Sequence, residues 1–599
     1  MTRAPATPRP AVNHPVDHPA DYPADHPAGP RTSPPRPRRP TVHRPAAVAA
    51  RHGTPGDPMT TTSSALTPSG ETRTDPAGPT DATEPALGSA PAACPDALLD
   101  PDLLAADPAG LADVGRLVGE LTRQAAAGLR RRSGPLPRLS PQELSRLVDR
   151  QLPQGVLPRT GGGRRAVLDL ARAYAEGTVD LADPRAAAHL QPPALTVAAA
   201  TDVLAGVFNA SVDTWDSGPY AVEVERRLVR GLADLAGYGP DAGGVLTPGG
   251  SASNLQALLI ARDAATAALR DVRGQGLTGL TPRPVVFCSE LAHFSVARAC
   301  AVLGLGEDAV RPVPADTRHR MCPRALDDGL RAAADAGELP VAVVATAGTT
   351  DFGSIDPLPQ VAAVARRHGV RLHVDAAYGC GALFSDRLRP LLAGLDQADT
   401  ITLDLHKTAW QPAATSVLLA ADAADFAPTT GLRVAYLNPD DDGEAGYDGL
   451  LGLSLQTTRR ADALKAAATF LAYGTEGVGA MLEACHDLAR HATRAVERHP
   501  RLELTAGATL TTVVFRYVTR DPRRSDAVNS ALRRRLLREG TALIGRTDLT
   551  PRHAGDPPTG TVRLKLTLLN PQARTRDVDE LLTAVATAGQ AVENGKETA

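Results

Sequence analysis

The chain has 599 residues, of which 64 are Lys or Arg and 67 are Asp or Glu, so the formal net charge is -3. This balance excludes the broad positive field that nucleic-acid binding requires, and no nucleic-acid partner is predicted. Only four of the basic residues are lysines: Lys407, Lys465, Lys565 and Lys596. Because Arg stays protonated and cannot act as an amine nucleophile, each lysine is a candidate for chemistry.

No apolar run reaches the roughly 18 residues of a membrane span, and no apolar stretch typical of a secretory signal opens the chain. The sequence therefore predicts a cytoplasmic protein without a membrane partner. The cysteines lack CxxC spacing, which predicts free thiols in a reducing compartment and neither a disulfide framework nor a metal site. There are six of them: Cys94, Cys288, Cys300, Cys322, Cys380 and Cys485.

Residues 1–95 differ in composition from the rest of the chain and hold 21 of its 52 prolines. Proline at this density removes backbone donors and blocks helices, and the few apolar side chains cannot offset the entropy of ordering, so the segment is predicted to be disordered. Met59 opens a polar stretch typical of an ordinary protein start. A second hypothesis is therefore that translation begins at Met59.

Helical patterns begin near residue 96. Leucine and valine recur at spacings of three, four and seven between Leu103 and Leu121, which is typical of an amphipathic helix. A second helix is predicted after Ser140, where a capping residue precedes proline and Glu143 follows three positions later. Residues 96–194 are accordingly predicted to form an N-terminal helical segment.

From residue 195 onward, short apolar runs alternate with helical stretches, which indicates an α/β domain with a mostly parallel sheet covered on both faces. The predicted strands are 285–289, 341–346, 371–377, 399–405 and 416–420, with a helix over 358–369. We predict a large domain over 195–437, a mobile lid over 438–453 that is rich in Asp and Gly, and a smaller α+β domain over 454–599. The smaller domain contains a predicted strand pair, 510–518 and 561–569.

Two charged residues follow predicted strands of the large domain, where open α/β sheets bind their ligands. A lysine at such a place, as Lys407 is, would be partly desolvated, which would lower its pKa and free the amine as a nucleophile. Asp375 stands on an otherwise apolar strand and needs a cationic partner, such as a protonated pyridine nitrogen. The alternatives are a surface lysine and an aspartate that caps the next turn.

Three further motifs place small or polar residues at strand ends and helix starts. The stretch 247–254, Thr-Pro-Gly-Gly-Ser-Ala-Ser-Asn, precedes a helical run and suits a phosphate held by helix N–H groups, although it could also be a plain helix start. His293 and the hydroxyl-rich stretch 346–350 follow two other strands, and the alternative for His293 is a packed or capping histidine. Together with Lys407 and Asp375, these motifs form the parts of a pyridoxal phosphate (PLP) site in chain order.

The same segments carry a resemblance to a known family. Residues 185–590 resemble the group II PLP-dependent amino-acid decarboxylases, and within them the bacterial diaminobutyrate and lysine decarboxylase branch of siderophore and polyamine synthesis. The motifs behind it include 209–218, 247–263, 343–359, HVDAAYGCGAL over 373–383 and DLHKTAWQP over 404–412. The resemblance implies fold type I, the PLP cofactor and a homodimer in which the N-terminal helices wrap around the partner.

The resemblance also implies roles for single residues. Lys407 would form an imine with the cofactor, and Asp375 would keep the pyridine nitrogen protonated. His293 would stack on one face of the ring while Ala377 packs on the other.

Further residues would surround these. The resemblance implies that Gly250, Ser251 and His406 help to bind the phosphate, and that Thr350 lies near His293.

Three residues would act on the substrate. Tyr436 would take part in protonating the substrate carbon after CO2 has left. Lys565 would stand where some relatives place a cation near the substrate carboxylate, and Gln191 is a second candidate for contact with the substrate.

Departures from the family pattern fall where substrate selection is expected. Gln191-Pro192-Pro193 replaces the usual Asn-Cys pair, and Thr408-Ala409-Trp410 replaces a serine followed by two aromatic residues. The acidic lid would favour a cationic substrate, and the alternative is a plain solvated loop. We therefore predict decarboxylation of a basic diamino acid: 2,4-diaminobutyrate, ornithine or lysine. The alternatives are glutamate, aspartate or an aromatic amino acid, transamination or oxidative deamination at the same site, and a catalytically silent partner protein.

Overall fold

The computed structural model describes residues 104–153, 155–427, 437, 439–549 and 561–595. The predicted disordered segment 1–95, with the alternative start at Met59, lies outside the described residues, and so does Tyr436. In the described stretches no helix is both long enough and apolar enough to cross a bilayer.

The helices are given first, in chain order. They are α1 (Pro108–Leu129), α2 (Pro141–Gln151), α3 (Gly163–Gly177), α4 (Thr196–Phe208), α5 (Pro219–Leu235), α6 (Gly250–Thr266), α7 (Val272–Gln275), α8 (Ser295–Val302), α9 (Pro323–Asp335), α10 (Leu358–Arg367), α11 (Leu405–Thr408), α12 (Asp440–Glu444), α13 (Ala463–Arg498), α14 (Ser525–Arg538) and α15 (Thr575–Glu593).

The strands interleave with these helices. They are β1 (Ala186–Ala187), β2 (Gly243–Thr247), β3 (Arg283–Ser289), β4 (Val310–Val313), β5 (Glu338–Thr346), β6 (Arg371–Asp375), β7 (Thr400–Asp404), β8 (Ser416–Ala420), β9 (Leu502–Ala506), β10 (Thr512–Tyr517), β11 (Leu543–Asp548) and β12 (Val562–Thr567).

The N-terminal helices form as their local sequence predicts. Ser140 caps α2 by accepting a hydrogen bond from the Glu143 N–H at 3.2 Å, and the Glu143 carboxylate accepts one from the Ser140 N–H at 2.7 Å. This reciprocal pair satisfies two N–H groups that the start of a helix otherwise leaves without partners. α1 and α3 pack against each other, and an ion pair of 2.9 Å joins Arg164 to Glu120 across them.

Among the described residues, the larger sheet has seven strands in the order β2-β8-β7-β6-β5-β3-β4. β3, β4, β5, β6 and β7 run parallel to one another, whereas β8 is antiparallel to both β2 and β7. The predicted mostly parallel sheet is therefore confirmed. The sequence prediction had missed β2 and β4.

Helices cover both faces of this sheet, which explains why most positions of its strands are buried. Alternate residues of β3 enter different cores: Val285 and Phe287 pack in one cluster, while Val286 and Cys288 pack with α6 and α8 in another. Residues of α9 and α10 belong to the first cluster. Two layers of helices therefore hold the carboxyl ends of the parallel strands in fixed positions.

The smaller sheet has five strands in the described part of the chain, in the order β1-β11-β12-β10-β9. β10 and β12 pair antiparallel, with Val514 opposite Lys565, which confirms the predicted strand pair. This sheet shares a separate core with α13, α14 and α15. The domain boundaries at 194, 437 and 453 stay predictions. Residues 439–453 of the predicted lid include the short helix α12.

Candidate active site

A cavity of about 350 Å³ opens at the carboxyl edge of the larger sheet. β5, β6 and β7 are parallel neighbours, so their last residues, Thr346, Asp375 and Asp404, meet at that edge. The first turn of α6 lies beside Asp404 and lines the same cavity. Every residue predicted to bind the cofactor lines this cavity: Gly250, Ser251, His293, Thr350, Asp375, Ala377, His406 and Lys407.

Lys407 lies on the short helix α11, directly after β7. Its Nζ atom is 2.8 Å from Oδ2 of Asp404, and its side chain is 20% exposed. Burial disfavours the charged amine, but the negative charge and hydrogen bond of Asp404, helped by Asp375, outweigh burial and raise the pKa of Lys407. The expected net lowering of the pKa of Lys407 is wrong, because the sequence did not show that an aspartate three positions earlier points at the amine.

Asp375 ends β6 and is 6% exposed. Its carboxylate accepts hydrogen bonds from the side-chain amide of Asn254 at 2.8 Å and from the N–H of Ala377 at 3.1 Å. In the part of the chain that the structure describes, no cation lies within ion-pair distance of it. A buried carboxylate with acceptor capacity left over is the group that a protonated pyridine nitrogen requires.

His293 follows β3 and lines the same cavity. Burial lowers the pKa of its imidazole, and the nearby charge of Asp375 offsets this only in part. The Nδ1 atom accepts the N–H of Ser295 at 3.3 Å and lies 2.8 Å from the Ser295 hydroxyl. Because Nδ1 accepts, the proton of the neutral ring is on Nε2. A neutral, flat ring held at one edge suits stacking on a cofactor ring.

The first turn of α6 suits a phosphate group. No side chain caps this helix, so its leading N–H groups remain for an anion. Gly249 has φ of 114°, a conformation that only glycine adopts without strain. A Cβ atom at Gly250 would stand 3.0 Å from both carboxylate oxygens of Asp404 and 3.3 Å from the Cβ of Ala377. A side chain at position 250 would therefore crowd the cavity.

His406 contributes a ring nitrogen to the same region. Its Nδ1 donates to the carbonyl oxygen of Thr415 at 2.9 Å, which leaves Nε2 on the side of Asp404, at 3.7 Å from Oδ2. Within the described residues, Oδ1 of Asp404 is a buried oxygen without a hydrogen-bond partner. A buried oxygen without a hydrogen-bond partner, beside a glycine-lined helix start, indicates that the cavity suits a polar ligand.

The two weaker substrate residues do not line the cavity themselves. The Nζ atom of Lys565 donates to the carbonyl oxygen of Thr350 at 3.0 Å and to Asp351 at 3.1 Å, so it stands behind a residue of the cavity wall. Leu190 lines the cavity, whereas its neighbour Gln191 is solvent-exposed. Substrate contact by Lys565 and Gln191 stays a prediction, as does the role of Tyr436.

Sequence reasoning gave no role to three residues that the site depends on: Asn254, Ser295 and Asp404. Asn254 closes the predicted phosphate motif, and Asp404 opens the motif that contains Lys407. A signal for Asp404 was available in the sequence, because it is an acid at the end of an apolar strand, three positions before the candidate nucleophile Lys407. The contact of Asn254 with Asp375 spans 121 positions and leaves no local pattern.

These residues fit PLP group by group. The aldehyde requires an amine, which Lys407 supplies. The pyridine nitrogen requires a carboxylate, and Asp375 is in place. The phosphate requires N–H donors and close backbone approach, which the first turn of α6 provides. No cluster of His, Cys, Asp or Glu suited to a metal ion occurs among the described residues.

Comparisons with known proteins agree with this chemistry. The model of the pyridoxal-dependent decarboxylase conserved domain matches residues 144–518. L-2,4-diaminobutyrate decarboxylase of Rhizobium meliloti (strain 1021) is 41% identical over 439 residues, which is 73% of this chain and 84% of that protein. The L-2,4-diaminobutyrate decarboxylase of Acinetobacter baumannii is 33% identical over 423 residues, 69% of this chain and 81% of that protein.

Solved structures share the fold. The glutamate decarboxylase domain of a diaminobutyrate-pyruvate transaminase and L-2,4-diaminobutyrate decarboxylase from Vibrio parahaemolyticus superposes with a TM-score of 0.72 at 28% identity, covering 82% of this chain and 98% of that one. Mouse CSAD gives a TM-score of 0.73 at 28% identity, covering 81% and 99%. The predicted fold type I, the PLP cofactor and the decarboxylase resemblance are confirmed. The chain belongs to the pyridoxal-dependent decarboxylase family.

Proposed function

We propose that this enzyme decarboxylates a basic diamino acid, and that L-2,4-diaminobutyrate is its preferred substrate, giving 1,3-diaminopropane and CO2. The observation that carries this proposal is the 41% identity, over 84% of its length, to a protein named for that reaction. Ornithine and lysine, which lengthen the same side chain, are the next candidates.

Each residue of the site has a task in this reaction. PLP, when bound, supplies the electron sink for the pair left at Cα as CO2 departs. Lys407 would hold the cofactor through its aldehyde group, and the Asp375 carboxylate would accept a hydrogen bond from the protonated pyridine nitrogen. His293, as a neutral ring, covers one face and limits the access of water to the reacting carbon.

Returning a proton to Cα completes the reaction. We propose Tyr436 for this step, as the family resemblance implies. The test is Tyr436→Phe in the holoenzyme, which should still release CO2 but give less diamine and more of the product of misplaced protonation. An unchanged product ratio would remove Tyr436 from this role.

The acidic helix α12 supports a cationic substrate. It carries Asp441, Asp442 and Glu444 and no basic residue. Replacing these three acids by their amides should raise KM for diaminobutyrate about two- to fivefold at low salt, with the difference vanishing in ~1 M salt. Asp328→Asn, an exposed acid on α9, is the matched control, and an equal effect of that change would contradict a role for α12.

We propose a homodimer, because large apolar side chains remain exposed on several elements of the described chain. Tyr174 on α3 is 70% exposed, Tyr220 on α5 is 78% and Leu471 on α13 is 88%, and a second subunit would cover apolar area of this kind. The mass measured by analytical sedimentation should be twice the chain mass for the wild type. The substitution Leu471→Glu should shift the measured mass toward that of the monomer. A wild-type monomer at micromolar concentration would refute the dimer.

We also propose a cytoplasmic location. Five cysteines in the described stretches carry free thiols, and four of them are buried, which suits a reducing compartment. Fractionation of the native cells should recover the protein with the cytoplasmic markers.

The deciding experiment is a substrate panel on purified holoenzyme, with CO2 release and product mass measured for diaminobutyrate, ornithine, lysine, glutamate, aspartate and aromatic amino acids. We expect diaminobutyrate to give the highest kcat/KM. A higher value for an acidic or aromatic substrate would overturn the proposed substrate. A keto acid without CO2 would indicate transamination or oxidative deamination, and a protein that binds no PLP would be a silent partner.

A further inference from the structure

A single buried amide connects the residues that face the two sides of the cofactor site. Asn254 lies on the second turn of α6 and is 1% exposed. Its Nδ2 atom donates to Oδ2 of Asp375 at 2.8 Å and to the hydroxyl of Ser295 at 2.9 Å. Asn254 therefore contacts the acceptor for the pyridine nitrogen directly, and reaches the stacking histidine through one serine.

The other end of the same amide is also fully used. Oδ1 of Asn254 lies 2.9 Å from Nε2 of His373 and accepts from the hydroxyl of Thr402 at 2.9 Å. The Nδ1 atom of His373 is 2.9 Å from the hydroxyl of Thr400. An asparagine side chain has two donor hydrogens and two acceptor lone pairs. All four are used here, so the amide has one orientation only.

This orientation fixes the direction of each hydrogen bond around it. His373 donates from Nε2 to the amide oxygen, so its Nδ1 accepts from Thr400. His373 is a neutral ring, since burial lowers its pKa to about 4. On the other side Ser295 accepts from the amide, which leaves its own proton for Nδ1 of His293. The network runs without a gap from Thr400 to His293.

We propose that Asn254 is a positioning residue that keeps Asp375 an unprotonated acceptor and His293 in its Nε2–H form, so that one amide sets the proton positions on the two groups that meet the nitrogen edge and one face of the cofactor ring. Asp375 can accept a hydrogen bond from a protonated pyridine nitrogen only while it is itself a carboxylate, and the amide hydrogen of Asn254 stabilises that carboxylate. This proposal rests on the decarboxylation proposed above only for its kinetic measurement.

The test uses a change of nearly equal shape. Asn254→Asp replaces the donor that faces Asp375 by an acceptor, so one of the two carboxyl groups must hold a proton at neutral pH. The matched control is Gln256→Glu. Gln256 lies on the same helix, is 2% exposed, and donates to the carbonyl oxygen of Leu453 at 2.7 Å, outside the cavity. Both variants bury one new acid on α6, and only the first faces Asp375.

The main measurement is the ¹⁵N chemical shift of the pyridine nitrogen in holoenzyme loaded with ¹⁵N-labelled PLP, without substrate. We expect a protonated nitrogen in the wild type and in Gln256→Glu, and a shift toward the neutral pyridine value in Asn254→Asp. In the same variant kcat should fall about 10- to 100-fold, which is what loss of one hydrogen bond to a charged group corresponds to, while KM changes less than about threefold.

Several outcomes would overturn the proposal. One is a pyridine nitrogen that stays protonated in Asn254→Asp, and another is an equal loss of kcat in Gln256→Glu. If Asn254→Asp does not fold, Asn254→Ser removes the amide without adding charge. It should move the nitrogen signal in the same direction by a smaller amount, and no movement would equally refute the proposal. Because the nitrogen signal needs no substrate, a wrong substrate assignment would leave this test intact.

Discussion

Replacing Asp404 by Asn tests whether this carboxylate holds Lys407 in its charged form before the cofactor binds. Imine formation requires the neutral amine, and Asp404 raises the pKa of Lys407 against the opposing effect of burial. In Asp404→Asn the negative charge is gone, so burial lowers the pKa of the Lys407 amine with less to counteract it. We therefore expect the variant apoenzyme to form an imine faster than the wild type.

The magnitude follows from the geometry. At 2.8 Å and an effective dielectric constant near 20, the pair has about 6 kcal/mol of Coulomb attraction, a gross figure from which the cost of burying both groups must be taken. If only about 1.4 kcal/mol of net attraction remains after that cost, its loss changes the fraction of neutral Lys407 amine tenfold. We expect the rate of imine formation near pH 8 to rise at least about tenfold.

The assay follows absorbance near ~420 nm after saturating pyridoxal is added to apoenzyme. Pyridoxal lacks the phosphate, so any effect of Asp404 on phosphate binding is excluded. The matched control is Asp462→Asn, which breaks a similar lysine–aspartate pair, 3.0 Å from Lys465 on α13, and should leave the rate unchanged. An equal or slower rate in Asp404→Asn, or an equal gain in the control, would refute the reasoning.

Three further predictions follow from the same structure. Lys407→Ala should abolish turnover and leave no cofactor that borohydride can fix to the chain, as shown by intact mass. Arg459→Leu removes the ion-pair partner of buried Glu225, which lies 2.8 Å away. The variant should have a free energy of unfolding lower by about 3–5 kcal/mol. Urea denaturation measures this loss, and Asp386→Asn, a change at an exposed position, is the control. The free energy of unfolding should fall as the pH drops from about 6.5 to about 4. Burial lowers the pKa of His373 to about 4, so in this range only the unfolded chain binds a proton at His373. The loss is measured as the difference between the urea midpoints at pH 7 and pH 5, and equal midpoints would contradict the prediction.

Much of the fold was predictable because its signals are local. Continuous apolar runs marked β3, β5, β6, β7 and β8, and a serine with a glutamate three positions later marked the start of α2. β2 and β4 were missed because five-residue and four-residue strands that contain glycine or proline lack a distinct pattern. Their place in the sheet is decided by pairing: β2 pairs with β8, which lies far along the chain, and β4 pairs with β3 across α8.

The sequence by itself determined the chemistry of the site. The groups that PLP requires occur in order along the chain: a glycine-serine helix start, an aspartate on an apolar strand and one lysine among few. Each can be recognised from the sequence because its neighbours along the chain define it. Only the tertiary structure decided how these groups are charged and oriented. Asp404 turns the expected neutral amine of Lys407 into an ion pair, and Asn254 joins Asp375 to His293 through Ser295. Strand order sets these contacts, and electrostatic and hydrogen-bond energies depend on distances that neighbours along the chain do not fix.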